Sequence, residues 1–296
     1  MRKKFLTATF LLAAFAFATN NLRGDEIFDE PKEFHEELLS RSTSENWWDG
    51  QPLMATGHGV APKDADVNLR MKELARPVAM ADAKRNLMEK IGNVRITAEK
   101  TLDEKEIEYV IDNFATIVSK NYDDHGIYTI VLQISMYGEE NSLASVIFQP
   151  VEKKDFRKPK KDDKNKPKGN YTGLIIDCGD AELSPILAPE IRDEKESLYA
   201  YDNLERKKVL ERGIVEYSAK SSGDGWFFGN TALAKSNSRA GDNPLVIKIS
   251  ELSNDGTCPV ISGDDAEKIL AENELTHFLD DGAVVFQSNR IRGMRM

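Results

Sequence analysis

The stretch that decides the fold of the first part of the chain is LMATGHGVAPKDADVNLRMKELARPVAMADAKRNLMEKIGNVRI, residues 53–96. It opens on an apolar, strand-like segment that contains Gly57, His58 and Gly59. From about residue 67 to residue 91, apolar residues then recur at steps of three and four, which predicts one face of a helix. The members of that face are Met71, Leu74, Ala75, Val78, Leu87, Met88 and Ile91. Because a proline removes a backbone donor, Pro77 predicts either a bend or a helix that begins nearer to it.

A second helix and further strands follow this stretch. Thr101 and Glu104 have the spacing of a capping box, and the apolar stripe expected behind them consists of Ile107, Val110, Ile111, Phe114, Ile117 and Val118. Strands are predicted in NVRITAEK, residues 93–100, and in GIYTIVLQISMY, residues 126–137. The apolar face of the latter strand consists of Tyr128, Ile130, Leu132, Ile134 and Met136. The pattern predicts an α+β domain over residues 47–150, with a sheet packed by helices on one face.

The N-terminus has the features of a signal peptide. Residues 1–18 consist of a basic start, an apolar run and a small-x-small ending, and residues 19–46 form a polar, acidic leader that we expect to be mobile. The apolar run is shorter than the roughly 20 residues of a membrane-spanning helix, and no later stretch is long and uncharged enough to span. We therefore expect export to the periplasm or the cell surface. Since no cysteine follows the signal, a lipid anchor is not expected.

The charge of the chain is unevenly distributed. The formal net charge of −10 and the pI near 5.1 disfavour nucleic acid or an anionic lipid surface as the main partner. Residues 151–170, VEKKDFRKPKKDDKNKPKGN, hold nine Lys and Arg against four Asp and Glu, with two prolines. This composition predicts a flexible basic linker, with docking to an anionic surface as the alternative.

A second α+β domain is predicted over residues 171–289, followed by a basic tail at 290–296. Strands are expected in YTGLIID, in the segment after GDNP and in AVVFQ. The helix AEKILAEN begins either at the cap pair Ser262 and Asp265 or at Asp264 and Glu267. We expect both domains to consist of a sheet packed by helices on one face.

No catalytic, cofactor-binding or metal-binding motif is found in the sequence. The segment Gly57-His58-Gly59 lacks the three glycines of a dinucleotide loop and the Gly-Lys-Ser/Thr of a phosphate loop. The sequence around His58 favours an ordinary strand residue over a general base. The other histidines are scattered, and no HExxH, CxxC or G-x-S-x-G occurs. We therefore predict no cofactor and no enzymatic activity.

Two features remain as candidate sites. Cys178 and Cys258 either form a disulfide or are two small buried side chains, and the carboxylates beside Cys178 disfavour a reactive thiolate. Trp226, Phe227 and Phe228 lie in the glycine-rich stretch GDGWFFGN. Such aromatics form a contact loop, or they fold back on the core of their own domain.

The first domain resembles a known family. The segments ATGHGVAP and LARPVAMADAKRNLMEKIGNVRI resemble the twenty-kilodalton outer-membrane lipoprotein (LPP-type) family and the related N-terminal domains of flagellar proteins P and T. The Ala-x-x-Asp-Ala-x-x-x-Leu core of that family matches Ala79, Asp82, Ala83 and Leu87, and the resemblance covers about residues 53–137. It implies a bacterial cell-envelope protein without catalytic residues. Residues 171–287 resemble, more weakly, a C-terminal module of uncharacterised envelope proteins.

These observations favour one function and leave two alternatives. We expect a non-enzymatic exported protein that acts through protein contacts in outer-membrane or flagellar assembly, with envelope or flagellar proteins or further copies of itself as partners. The first alternative is a secreted hydrolase, which Asp177, Asp180, Asp242 and His277 would support if they surrounded one cleft. The second is a soluble periplasmic ligand-binding module, which needs an apolar cavity.

Overall fold

A computed structural model describes residues 47–61, 68–160, 166–219 and 239–293 of the chain. The signal peptide predicted at residues 1–18 and the leader at 19–46 therefore lie outside the described residues. The described chain is built from α+β units, as the sequence predicts.

The first domain is a three-stranded antiparallel sheet with helices on one face. A short 3-10 helix, Trp47–Asp49, precedes it. The strands are β1 (Leu53–Val60), β2 (Thr116–Tyr122) and β3 (Ile127–Ile134), and the helices are α1 (Asn68–Gly92), α2 (Glu104–Phe114) and α3 (Leu143–Ile147). The sheet order is β1-β3-β2, so β3 is central and both β1 and β2 are edge strands. The apolar face predicted for β3 is confirmed, since its five residues are all buried in the main core.

Helix α1 buries a face that repeats at every fourth residue. The fully buried residues of this face are Ala75, Ala79, Ala83, Leu87 and Ile91. Pro77 lies inside the continuous helix, so the predicted later start near Pro77 is wrong. Leu74 and Val78, predicted on the buried face, are 42% and 48% exposed. Helix α1 contacts β1 through the small residues Ala75, Ala79 and Ala83, and the larger side chains of Leu74 and Val78 are therefore left exposed.

Helix α2 starts two residues later than predicted. Its N-cap is Asp103, whose side chain accepts a hydrogen bond from the backbone N–H of Glu106, while Glu106 accepts one from the backbone N–H of Asp103. The capping box is therefore formed by Asp103 and Glu106, and not by Thr101 and Glu104. The helix ends at Phe114, so Ile117, predicted on its stripe, belongs to β2. The strand predicted at residues 93–100 is reduced to a single bridge between Arg95 and Thr101.

The second domain contains a parallel sheet of four strands. Its strands are β4 (Gly173–Asp177), β8 (Glu216–Ala219), β9 (Pro244–Lys248) and β12 (Val284–Ser288), in the order β8-β12-β4-β9. The helices α4 (Arg206–Arg212) and α5 (Gly263–Thr276) pack on one face of it, against a core that includes Leu174, Ile176, Leu245, Ile247 and Phe286. Both helices belong to connections that move across the sheet in the same direction, and right-handed crossovers place such connections on the same face.

Two small sheets of short strands complete the second domain. One has four strands in the order β10 (Glu251–Leu252), β11 (Pro259–Val260), β6 (Ile191–Arg192) and β7 (Ser197–Tyr199), and the other consists of β5 (Glu182–Leu183) and β13 (Arg290–Ile291). Because β13 pairs with β5, the first residues of the predicted basic tail are part of the domain. Helix α5 is capped by Ser262, whose hydroxyl accepts from the backbone N–H of Asp265 at 3.1 Å. The first of the two cap pairs considered from the sequence is thus the one used.

The two domains share an interface. The backbone N–H groups of Leu187 and Ala188 donate to the carbonyl oxygens of Arg95 and Ile96, at 2.9 Å each. Tyr137, just after the first sheet, packs so closely on Gly213 that a Cβ there would lie 2.5 Å from the phenol oxygen. Burial raises the pKa of Tyr137 to about 12. The main hydrophobic core accordingly contains residues from both domains.

The basic linker is attached to the second domain. In its described parts, residues 151–160 and 166–170, it forms no helix or strand, yet Phe156 stacks on Tyr199 with ring centroids 6.3 Å apart. The backbone N–H of Lys160 donates to Glu267, and those of Lys168 and Gly169 donate to Glu272. For these two described parts, the prediction of a flexible linker is therefore corrected. Backbone groups make these contacts with glutamates about a hundred residues away, and composition does not reveal such pairs.

Candidate functional site

The Gly-His-Gly segment is a packing site between β1 and α1. A Cβ at Gly57 would lie 2.1 Å from the backbone nitrogen of Ala83, and one at Gly59 would lie 2.2 Å from the carbonyl oxygen of Ala75. Only glycine allows the strand to approach the helix backbone so closely. The two glycines and the alanines of α1 therefore serve the same contact, and neither glycine forms a phosphate-binding loop.

The outer edge of β1 is closed by two side chains of α1. Asp82 accepts a hydrogen bond from the backbone N–H of His58 at 2.9 Å, and the side-chain amide of Asn86 donates to the carbonyl oxygen of Thr56 at 2.7 Å. These bonds satisfy backbone groups that an edge strand otherwise offers to another chain. The imidazole of His58 contacts the hydroxyl of Thr129 at 3.2 Å, across the β1–β3 pair. This is the environment of an ordinary strand histidine.

The opposite edge strand of the same sheet is β2, and the side chains of Asp82 and Asn86 bind β1 and not this strand. Within the part of the chain that the structure describes, β2 pairs with β3 alone, and its sequence TIVSKNY carries a single charge. On this strand Ile117 is 43% exposed, and on the preceding helix Tyr109 is 54% exposed and makes an edge-to-face contact with Phe114. We call β2 together with Tyr109, Phe114 and Ile117 the β2 edge. The helical spacing of Ile117 conceals this surface in the sequence.

The four residues that would support a hydrolase do not share one cleft. Asp177 and Asp180 lie at the carboxyl end of β4. Asp242 precedes β9 at the amino end of the sheet, where Gly173 pairs with Pro244. His277 is the left-handed C-cap of α5, which leads back to the amino end of β12. The two pairs therefore lie at opposite ends of five-residue strands, about 16 Å apart along the sheet.

The acidic residues at the carboxyl end of β4 are engaged in turns. The carboxylate of Asp177 accepts from the backbone N–H of Gly179 at 2.9 Å, and Asp180 accepts from the side-chain amide of Asn289 at 2.5 Å. The first bond closes the turn after β4, and the second connects that turn with Asn289, just after β12. The main argument for the hydrolase alternative is thereby removed.

Cys178 and Cys258 are not joined in the structure, so the disulfide considered from the sequence is not formed. Cys178 is buried at the end of β4, and Cys258 is half-buried in the turn before β11. The hydroxyl of Thr257 contacts the Cys258 sulfur at 3.5 Å. Their surroundings correspond to the second alternative, small buried or partly buried side chains.

A buried ion cluster that the sequence did not reveal fixes the linker. Arg157 donates to Glu267 at 2.6 Å and to Asp193 at 2.8 Å. Burial alone raises the pKa of Asp193, but the backbone N–H groups of Glu196 and Lys195, together with Arg157, outweigh it and lower that pKa. The pKa of Glu267 is also lowered, because the N–H of Lys160 and Arg157 outweigh its burial.

A second buried cation has a structural role at the amino end of the parallel sheet. The guanidinium of Arg239 donates to the carbonyl oxygens of Gly282 at 2.5 Å, Gly213 at 2.6 Å and Arg212 at 2.9 Å. Burial lowers its pKa from the ordinary value. Because these donors point at carbonyl oxygens of the same chain, Arg239 links the segments before β8 and β12.

The described residues contain neither a candidate membrane span nor a candidate metal site. No helix in residues 47–61, 68–160, 166–219 or 239–293 combines the length and apolar character that crossing a membrane requires. In those same ranges, no group of three or more His, Cys, Asp or Glu side chains is arranged to hold a metal ion. The aromatic stretch Trp226, Phe227 and Phe228 lies outside the described residues.

Comparison with known proteins gives one match. A family model described as Treponema pallidum Tp0624, second domain, matches residues 173–289. The match begins at β4 and ends just after β12, so it covers the parallel sheet and less than half of the chain. No curated protein matches the chain. The match does not extend to residues 53–137, and the resemblance of the first domain to the LPP-type family stays a prediction.

Proposed function

We propose that the protein is a non-enzymatic, exported cell-envelope protein that acts through protein–protein contacts, with the β2 edge as its principal contact surface. One observation supports this proposal most strongly. The first-domain sheet has one edge closed by Asp82 and Asn86, while on the other edge strand, β2, the side chain of Ile117 is 43% exposed. Exposed edges pair readily with other chains, and proteins that do not use them usually cover or charge them.

The residues of the family-like motif support the same view. Gly57, Gly59, Ala83 and Asp82 contribute to the contact between β1 and α1, and none of them is left to form a ligand site. A motif that builds the scaffold is compatible with the assembly role that the resemblance implies. Export by the signal peptide to the periplasm or the cell surface, with outer-membrane or flagellar proteins as partners, belongs to the same proposal. The Trp226 segment remains a second candidate contact surface within it.

The experiment is a pull-down of the tagged, exported protein from cross-linked envelopes, with partners identified by mass spectrometry. Wild type is compared with Ile117→Lys, which places a charge on the β2 edge, and with Val60→Lys. Val60 is a matched control because it is a β-branched residue at the closed edge and is 60% exposed. We expect envelope or flagellar components with the wild type and with Val60→Lys, and fewer with Ile117→Lys. Equal recovery with all three proteins would show that the β2 edge is not the contact surface. Absence of envelope components from every sample would contradict an assembly role.

A further inference from the structure

Two neighbouring polar side chains at the carboxyl end of the parallel sheet have no hydrogen-bond partner in the described chain. Ser218 of β8 pairs in register with Gln287 of β12, so the two side chains stand side by side on strands about 4.8 Å apart. We infer that the hydroxyl of Ser218 and the amide of Gln287 form a binding site for a neutral, hydroxyl-rich molecule, a saccharide. This inference goes beyond the proposed function, because it concerns the second domain and a small ligand.

The strand register shows which face of the sheet these side chains occupy. Tyr217 and Phe286, one residue earlier on each strand, contact each other edge to face within the main core, on which α4 and α5 pack. Because successive side chains of a strand point to opposite faces, Ser218 and Gln287 point away from these helices. In open parallel sheets, ligands bind outside the carboxyl ends of the strands. The two polar side chains lie at that end.

Gln287 is the residue that most clearly indicates a ligand. It is 5% exposed, and its side-chain amide makes no hydrogen bond with any described residue. Such a group loses its water without gaining a protein partner, which is unfavourable, and most buried amides are paired. The amide is nevertheless not fully enclosed, because the enclosed unpaired atoms of the described chain belong to other residues. A molecule that enters from solvent can therefore reach it and supply the missing partners.

The chemistry of the two groups selects a neutral ligand with adjacent hydroxyls. An amide presents an acceptor oxygen and a donor nitrogen side by side, and a hydroxyl both donates and accepts. Two vicinal hydroxyls of a sugar ring match the amide, and a third meets Ser218. Asp177, next to Gln287 in register, is already engaged, since its carboxylate accepts from the backbone N–H of Gly179 at 2.9 Å, and we do not assign it to the site. Its negative charge disfavours an anionic ligand there.

The test is nuclear magnetic resonance of the purified exported protein. The side-chain amide signals of Gln287 are identified by their absence from Gln287→Leu. The probes are D-glucose, D-galactose and D-mannose, which differ in the orientation of one or two hydroxyls, each added up to about 20 mM, well above a dissociation constant on the order of 1 mM. At least one sugar should shift these signals. Acetamide and sodium acetate, which carry no hydroxyl groups, should leave them unchanged.

Variants separate binding from folding. Gln287→Leu keeps the approximate size of the side chain and removes the unpaired amide, so its thermal midpoint should equal or exceed that of the wild type, while saturation transfer to the sugar should be lost. Ser218→Ala should raise the dissociation constant about 5-fold, the effect of one ordinary hydrogen bond. The matched control is Ser250→Ala, which changes an exposed serine just after β9 and should bind sugar like the wild type.

Several results would overturn the inference. Unchanged Gln287 signals with all three sugars would exclude a saccharide site. A shift with acetamide and with no sugar would show that the site recognises an amide group instead. Undiminished sugar binding by Gln287→Leu would place the sugar elsewhere, and a clearly lowered midpoint of this variant would show that the amide has a partner in the native protein. None of these results depends on the contacts of the β2 edge.

Discussion

Replacing Gly57 with alanine should destabilise the first domain strongly. The new Cβ would lie 2.1 Å from the backbone nitrogen of Ala83 and 2.2 Å from the carbonyl oxygen of Ala79. Ordinary contacts of this type need about 3.5 Å, so α1 would have to withdraw by about 1.4 Å. A gap of that size removes a large part of the dispersion energy along the buried face of α1. The clash involves backbone atoms, which no rotamer change can relieve.

The expected cost is about 3 kcal/mol or more, the upper range for overpacked sites. For a domain of about 100 residues, that corresponds to a fall in the thermal midpoint of about 12–24 °C. The assay is thermal unfolding followed by circular dichroism. Gly263→Ala is the matched control, because a Cβ at Gly263 would meet no atom within 4 Å, and we expect its midpoint to be unchanged or slightly raised. A Gly57→Ala midpoint within about 2 °C of the wild type would refute the close-packing explanation of the Gly-His-Gly segment.

Two further predictions concern the second domain. The lowered pKa values of Asp193 and Glu267 mean that their contribution to stability is present above the ordinary carboxyl pKa of about 4 and is lost as the pH falls through the lowered values. Arg157→Gln should therefore lower the thermal midpoint at pH 7 and flatten its decline towards pH 3, whereas parallel pH profiles of the two proteins would contradict the role of this ion cluster. A thiol reagent added to the native protein should modify the half-buried Cys258 before the buried Cys178. After unfolding without a reductant, two thiols should react. If none reacts, the two cysteines form a disulfide.

The start of helix α2 depends on contacts outside its own sequence. Thr101 and Glu104 have the same spacing as Asp103 and Glu106, and local sequence does not distinguish the two capping boxes. The structure uses the second pair, since the bridge at Thr101 belongs to the preceding turn. In the same way, Ile117 satisfies both a helical period and a strand. Ile117 belongs to strand β2 because it pairs with Leu132 of β3. Tertiary contacts thus settled what local periodicity left ambiguous.

The sequence by itself determined those features that depend on local pattern. These are the α+β class, the existence of α1, α2 and α5, and the apolar face of β3, because periodicity and capping act over a few residues. Only the tertiary structure decided the parallel order β8-β12-β4-β9, the attachment of the linker through Glu267 and Glu272, and the closure of the β1 edge by Asp82 and Asn86. Each of these depends on pairs of groups far apart in the chain. Such pairs leave no periodic trace in the sequence, and they become visible only when the fold brings them together.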